Sequence, residues 1–163
     1  MSGVAHAATL QDFYGEFLGH TEVSGERDRD VSVSIHPSPE DNGFYIQWTT
    51  VIYQKNRAVS HIKRRADFVP TKNKNVFSSA MSTNVFGRKI PLDPLQGKPY
   101  IWARIQGDTL STFVLSIDDE GEYEFQTYER TLTKAGMQLH YVNMRDNKLY
   151  RELDAYLTRV SGQ

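Results

Sequence analysis

The chain has 163 residues, 39% of them apolar and 24% charged, a length and balance that fit one domain with a sizeable core. Without a cysteine it can form no disulfide, no thiolate zinc site and no cysteine nucleophile. No stretch approaches the run of about 20 apolar residues that spans a bilayer.

The net charge of −1 conceals an uneven distribution. Residues 1–54 carry 2 basic and 8 acidic groups, 55–104 carry 11 and 2, and 105–163 carry 6 and 10. Either basic strands pair with acidic neighbours across a closed sheet, or the middle of the chain builds an anion-binding surface or cavity.

Residues 1–9 are small and weakly apolar. They lack the basic start and continuous apolar run of a secretory signal, so a loose terminus and a cytoplasmic protein are expected. Leu10 to Tyr14 fits a single helical turn or short helix, capped by Thr9 and stopped by Gly15. Phe17, Gly19, Thr21 and Val23 then alternate with Glu16, Leu18, His20 and Glu22, and Ser24-Gly25-Glu26 turns the chain into Val31, Val33 and Ile35.

The turn-rich run from His36 ends in Asn42-Gly43, a strong hairpin signal. Phe44, Ile46, Trp48, Thr50 and Ile52 follow on one strand face. Residues 59–68 form the next strand, with Ile62, Arg64, Ala66 and Phe68 sharing a face. Lys63, Arg65 and Asp67 lie opposite.

After a loop at 70–74 and a strand at 76–81, residues 82–99 hold three prolines and two glycines and cannot be a central strand. This segment is either an irregular edge strand around Val85 and Phe86 or a lid. From Tyr100 the pattern sharpens into strands at 100–105, 110–117, 123–132 and 137–144, joined by hairpin-short turns. Leu153, Ala155 and Leu157, spaced two apart, favour a last strand at 149–160 over a helix.

About ten sequential strands predict an all-β fold. The expected form is an up-and-down antiparallel β-barrel of about eight to ten strands with a short N-terminal helix, because closure removes exposed edges. Such a barrel has room for one small ligand if side chains do not fill it.

The order short helix, Gly15-Glu16-Phe17, Gly19, consecutive hairpins and a last strand ending Leu157-Thr158-Arg159-Val160 resembles the calycin superfamily of lipocalin and fatty-acid-binding-like barrels. In that group a Gly-x-Trp on the first strand packs against an arginine near the end of the last. Phe17 and Arg159 stand in those places, with Phe in place of Trp. The resemblance spans nearly all of 1–163 as one barrel domain and implies a non-enzymatic binder of a small apolar or amphipathic molecule. Haem-carrying barrels of the same group use a histidine ligand, for which His140 is the candidate; no other cofactor is expected.

Individual residues sharpen that expectation. Tyr100, Trp102 and Arg104 share one face of a strand whose other face is Ile101, Ala103 and Ile105, and either face can point inward. The first combination suits an amphipathic ligand. Tyr128 and Arg130 share a face too, and a phenol with a guanidinium can hold a carboxylate; Tyr123, Phe125 and Thr127 are the competing inward face. Arg64 interrupts an apolar face and needs a partner: Glu16, Glu22 or a ligand carboxylate.

These residues, with Trp48 and His140, are the candidate lining. The five histidines show no metal-ligand spacing, and no nucleophile elbow occurs, so no catalytic or metal residue is assigned. Two other readings stay open: an isomerase or cyclase on the same barrel using His140 or a tyrosine, and a packed barrel acting as an interaction module. The expected partners are a small anionic, apolar or amphipathic ligand and, at most, a second copy of the chain in a homodimer. A sequence pI of 6.5 and the absence of a spanning segment leave out nucleic acid and a membrane span.

Overall fold

The computed structural model describes residues 7–21, 27–39, 42–55, 57–79, 82–83, 85–87, 89–90 and 92–161. The expected turn Ser24-Gly25-Glu26, Val23, the far end of the loose terminus and Met81 lie outside these. Alternating sequence becomes twelve strands: β1 Gly15–Thr21, β2 Arg29–Pro37, β3 Phe44–Gln54, β4 Arg57–Pro70, β5 Val76–Ser79, β6 Ser82–Thr83, β7 Lys89–Ile90, β8 Tyr100–Gln106, β9 Thr109–Ile117, β10 Tyr123–Leu132, β11 Gly136–Arg145 and β12 Lys148–Ser161. Ten of them close an antiparallel up-and-down barrel, and β6 and β7 form a separate two-stranded ribbon between β5 and β8. The expected all-β barrel is therefore present, and β12 is a strand along its whole length.

Turn chemistry sets the hairpins. Gly107 takes a φ of +59° between β8 and β9, and Asp146 and Asn147 take +46° and +63° between β11 and β12, conformations open to Gly, Asp and Asn. The expected N-terminal helix is only a 3₁₀ turn, Leu10–Phe13, in which the Thr9 amide donates to the Asp12 carboxylate at 2.7 Å. Val85 and Phe86 sit in the turn of the small ribbon and are exposed, so no edge strand runs through them.

One end of the barrel is solid. Phe13 plugs it from the 3₁₀ turn, and Phe17, Phe44 and Phe68 are fully buried beside it. Phe44 stacks on Phe68 at 5.0 Å and meets Phe77 edge-on at 4.9 Å, arrangements favoured by the ring quadrupoles. Burying rings of this size supplies roughly 2–3 kcal/mol each.

Arg159 stitches this end shut: it pairs in register with Phe17, holds its guanidinium 4.6 Å from that ring, and donates to the Tyr14 and Asp12 carbonyls. Gly19 and Gly136 let strands approach on either side. A Cβ at Gly136 would lie 2.1 Å from the Leu157 carbonyl oxygen, and one at Gly19 would lie 2.5 Å from that of Tyr156.

The other end is open. β5 pairs with β4 only at Phe68, Val69 and Pro70, so β4 from Arg57 to Asp67 is hydrogen-bonded in the sheet to β3 alone. The basic strand β4 thus lies between β3 and β5, neither of which contains an acidic residue. The expected cross-strand neutralisation of the basic centre does not occur there; Arg65 pairs instead with Asp67 on its own strand at 2.8 Å. Among the described residues no helix is long and apolar enough to cross a membrane.

Candidate ligand cavity

Above the phenylalanine floor the barrel interior opens into a cavity of about 430 Å³ lined by β1–β4 and β10–β12. That volume is in the range of small-molecule sites. Period-two alternation determines what each strand contributes. Glu124, Gln126, Tyr128 and Arg130 form one inward row on β10; Leu139, Tyr141, Asn143 and Arg145 form the row beside it on β11.

Among the described residues five arginines line the cavity, Arg29, Arg64, Arg130, Arg145 and Arg151, against one carboxylate, Glu124, which Arg145 already holds at 2.9 Å. Among the described lining residues cations thus outnumber carboxylates, although the chain as a whole is nearly neutral. Four of these arginines come from the acidic flanks of the sequence and only Arg64 from its basic centre. An anion cavity built from the middle of the chain is thus corrected to one built mainly from its ends.

Arg130 is the most unusual of the five. It is 1% exposed, with its guanidinium 5.7 Å from the Trp48 ring and 5.2 Å from that of Tyr128. Among the described residues its one hydrogen bond is to the Thr112 hydroxyl at 3.3 Å, its Nε has no partner, and no carboxylate pairs with it. Burial lowers its pKa to about 10, so it is still a cation at neutral pH. A buried cation without a counter-charge is costly, and proteins normally pair such groups.

Tyr128 lies between Arg130 and the wall. Its hydroxyl donates to Gln126 Oε1 at 2.8 Å, and Tyr141 donates to the same oxygen at 3.0 Å. Burial pushes both phenols up, with the Arg130 and Arg64 charges opposing that rise at Tyr128. Val31, Val33, Ile62, Leu139 and Leu153 supply the apolar wall.

The sequence candidates divide in two. Trp48, Arg64, Tyr128 and Arg130 line the cavity. Arg64 is not buried, as was expected, but stands exposed at the mouth, because the strand beyond β4 stops short. Of its expected partners, Glu16 lies on the outer face 3.7 Å from His36, and Glu22 lies outside the described residues.

Tyr100, Trp102, Arg104 and His140 do not face the cavity. The Ile101, Ala103 and Ile105 side of β8 packs into the core, so Tyr100 and Trp102 point outward; their rings lie 5.7 Å apart, and Trp102 meets Phe113 at 4.9 Å and Phe125 at 6.0 Å. Arg104 rests on Phe113 on that outer face. His140 is outside too, bonded to Asp154 at 2.8 Å with Glu152 at 3.4 Å, and these acids raise its pKa. Sequence reasoning missed Arg29, Glu124, Gln126, Tyr141, Asn143 and Arg145; extending the Tyr128–Arg130 face two residues at a time would have found Gln126 and Glu124.

Among the described residues no three His, Asp or Glu side chains cluster as metal ligands. The chain matches no family model, no curated protein and no solved structure.

Proposed function

We propose that this protein binds a small amphipathic anion inside its barrel without turning it over. The observation that carries the reading is Arg130, a cation 1% exposed at the cavity floor with no carboxylate among the described residues beside it. A ligand carboxylate there would restore the missing counter-charge by charge-assisted hydrogen bonds. Trp48, Val33 and Leu139 would cover the apolar part, and Arg64 would meet the ligand at the mouth.

Two features support binding over chemistry. Both cavity phenols are shifted away from neutral pH, the wrong direction for an acid–base group at work. His140, the one histidine weighed for that role, faces solvent. The ten-strand up-and-down closure, the Phe13 plug and the Phe17–Arg159 stack support kinship with the calycin barrels.

Native against denaturing mass spectrometry of freshly purified protein tests the reading. An added mass that leaves on denaturation, and that purified Arg130→Met protein lacks, is the expected result. Titration of a Trp102→Phe variant with medium-chain carboxylates should then quench Trp48 emission. Carboxylates that bind Arg130→Met as tightly as the unaltered protein would remove the basis of the proposal.

A further inference from the structure

The polar wall of the cavity has a fixed direction of hydrogen bonding, and this follows from one carboxylate at its rim. Glu124 is held by Arg145 at 2.9 Å and can only accept, so the Gln126 amide must turn its nitrogen to it, at 2.7 Å. Gln126 Oε1 then faces the interior and accepts from both Tyr128 and Tyr141. With its proton committed, the Tyr141 oxygen is an acceptor, and Asn143 Nδ2 donates to it at 3.3 Å. Asn143 Oδ1 is thereby left buried and without a partner.

The phenols therefore have no proton to offer an incoming anion. The wall presents oxygen lone pairs, at Tyr128 and at Asn143, while donors are concentrated in the arginines. A plain alkyl carboxylate would satisfy Arg130 and leave the Asn143 oxygen orphaned, and a buried polar group without a partner is costly.

Resting on the anion-binding reading above, we propose that the ligand class is a hydroxylated or amide-bearing amphipathic carboxylate, whose anion meets Arg130 and whose neutral donor meets the Asn143 side of the wall. A neutral donor fits better than an ammonium, because on this side of the wall Glu124, the carboxylate of the β10 row, is already engaged by Arg145. In register, Arg130 pairs with Leu139 and Gln126 with Asn143. The two rungs are four residues apart, about 13 Å at roughly 3.3 Å per strand residue, before the arginine's own reach is subtracted. A chain of about ten carbons covers that span.

The test is calorimetric titration of the delipidated full chain with decanoate and with ω-hydroxydecanoate. The expected result is that the hydroxy acid binds roughly tenfold more tightly, and that Asn143→Leu abolishes the difference. Gln126→Met provides a second variant should Asn143→Leu fail to fold. It frees both phenol protons, so it should raise decanoate affinity severalfold and erase the hydroxyl preference.

Equal affinities in the unaltered protein, or a preference for decanoate, would overturn the inference. The anion site itself would still stand if Arg130→Met lost both ligands. Binding of neither acid, or binding of both by Arg130→Met at full strength, would overturn the site and the inference together.

Discussion

Replacing Arg130 by methionine should make the ligand-free protein more stable. The arginine is fully buried, and burial lowers its pKa from the ordinary arginine range to about 10. At about 1.4 kcal/mol per pH unit, that depression corresponds to about 3 kcal/mol held against the fold at neutral pH. The Thr112 hydrogen bond and the Trp48 and Tyr128 rings return about 1–2 kcal/mol of it. Methionine keeps most of the volume and needs no counter-charge, so the expected gain is about 1–2 kcal/mol. For a chain of this length that raises Tm by about 2–8 °C.

Thermal unfolding followed by circular dichroism on delipidated protein is the assay. The pH dependence adds a check of sign. Because the folded pKa is the lower one, the cost is present in full below about pH 10 and is relieved above it, where the unfolded chain still binds the proton that the folded one has lost. The stability gap between variant and unaltered protein should thus be constant at neutral pH and narrow in strong alkali. A variant that melted several degrees below the unaltered protein would mean that Arg130 has a structural counter-charge in the protein, and the reasoning from an uncompensated cation would fail.

Arg159→Ala should lower stability by about 2–3 kcal/mol in denaturant titrations, since it strips two charge-assisted bonds to Tyr14 and Asp12 and the contact with Phe17, with Arg159→Lys recovering less than half. Gly136→Ala should cost at least about 2 kcal/mol by the same measurement, because the new Cβ meets backbone atoms of β12 at 2.1–2.8 Å that cannot rotate away. His140→Gln should leave carboxylate binding unchanged. By NMR, His140 should titrate above the ordinary histidine range, its small stabilising effect present in full at acid pH and lost as pH rises through the raised pKa.

The hairpins at Gly107 and Asp146-Asn147 and the alternation of β1 to β4 were legible in the sequence because there the apolar side is the inner side. β8 and β10 resisted for opposite reasons. In β8 both faces are rich in large side chains, and only the neighbouring Phe113 and Phe125 explain why Tyr100 and Trp102 belong outside. In β10 the row Glu124, Gln126, Tyr128 and Arg130 has the polarity of a solvent face, yet it lines the interior. A strand bordering a charged cavity inverts the usual rule, and within its own residues only the Tyr128–Arg130 pair points to the inversion. The charge count misled in the same way, since proximity in the barrel joins Arg29 to Arg145 and Arg151 while the basic centre of the chain lies mostly on the outer face.

The Phe17–Arg159 stitch joins strands at opposite ends of the described chain, and this bears on how the molecule assembles. The other barrel partner of β1 is its sequence neighbour β2, so during folding one edge of β1 has no partner until β12 arrives across more than a hundred intervening residues. Closing that interval carries the largest loop entropy in the molecule, and it slows the step that removes the last open edge. Until then a strand edge with an exposed Leu18 beside it is available to other chains. Substitutions that weaken the Arg159 clasp would therefore appear first as aggregation during refolding, at concentrations where the finished barrel is still well behaved.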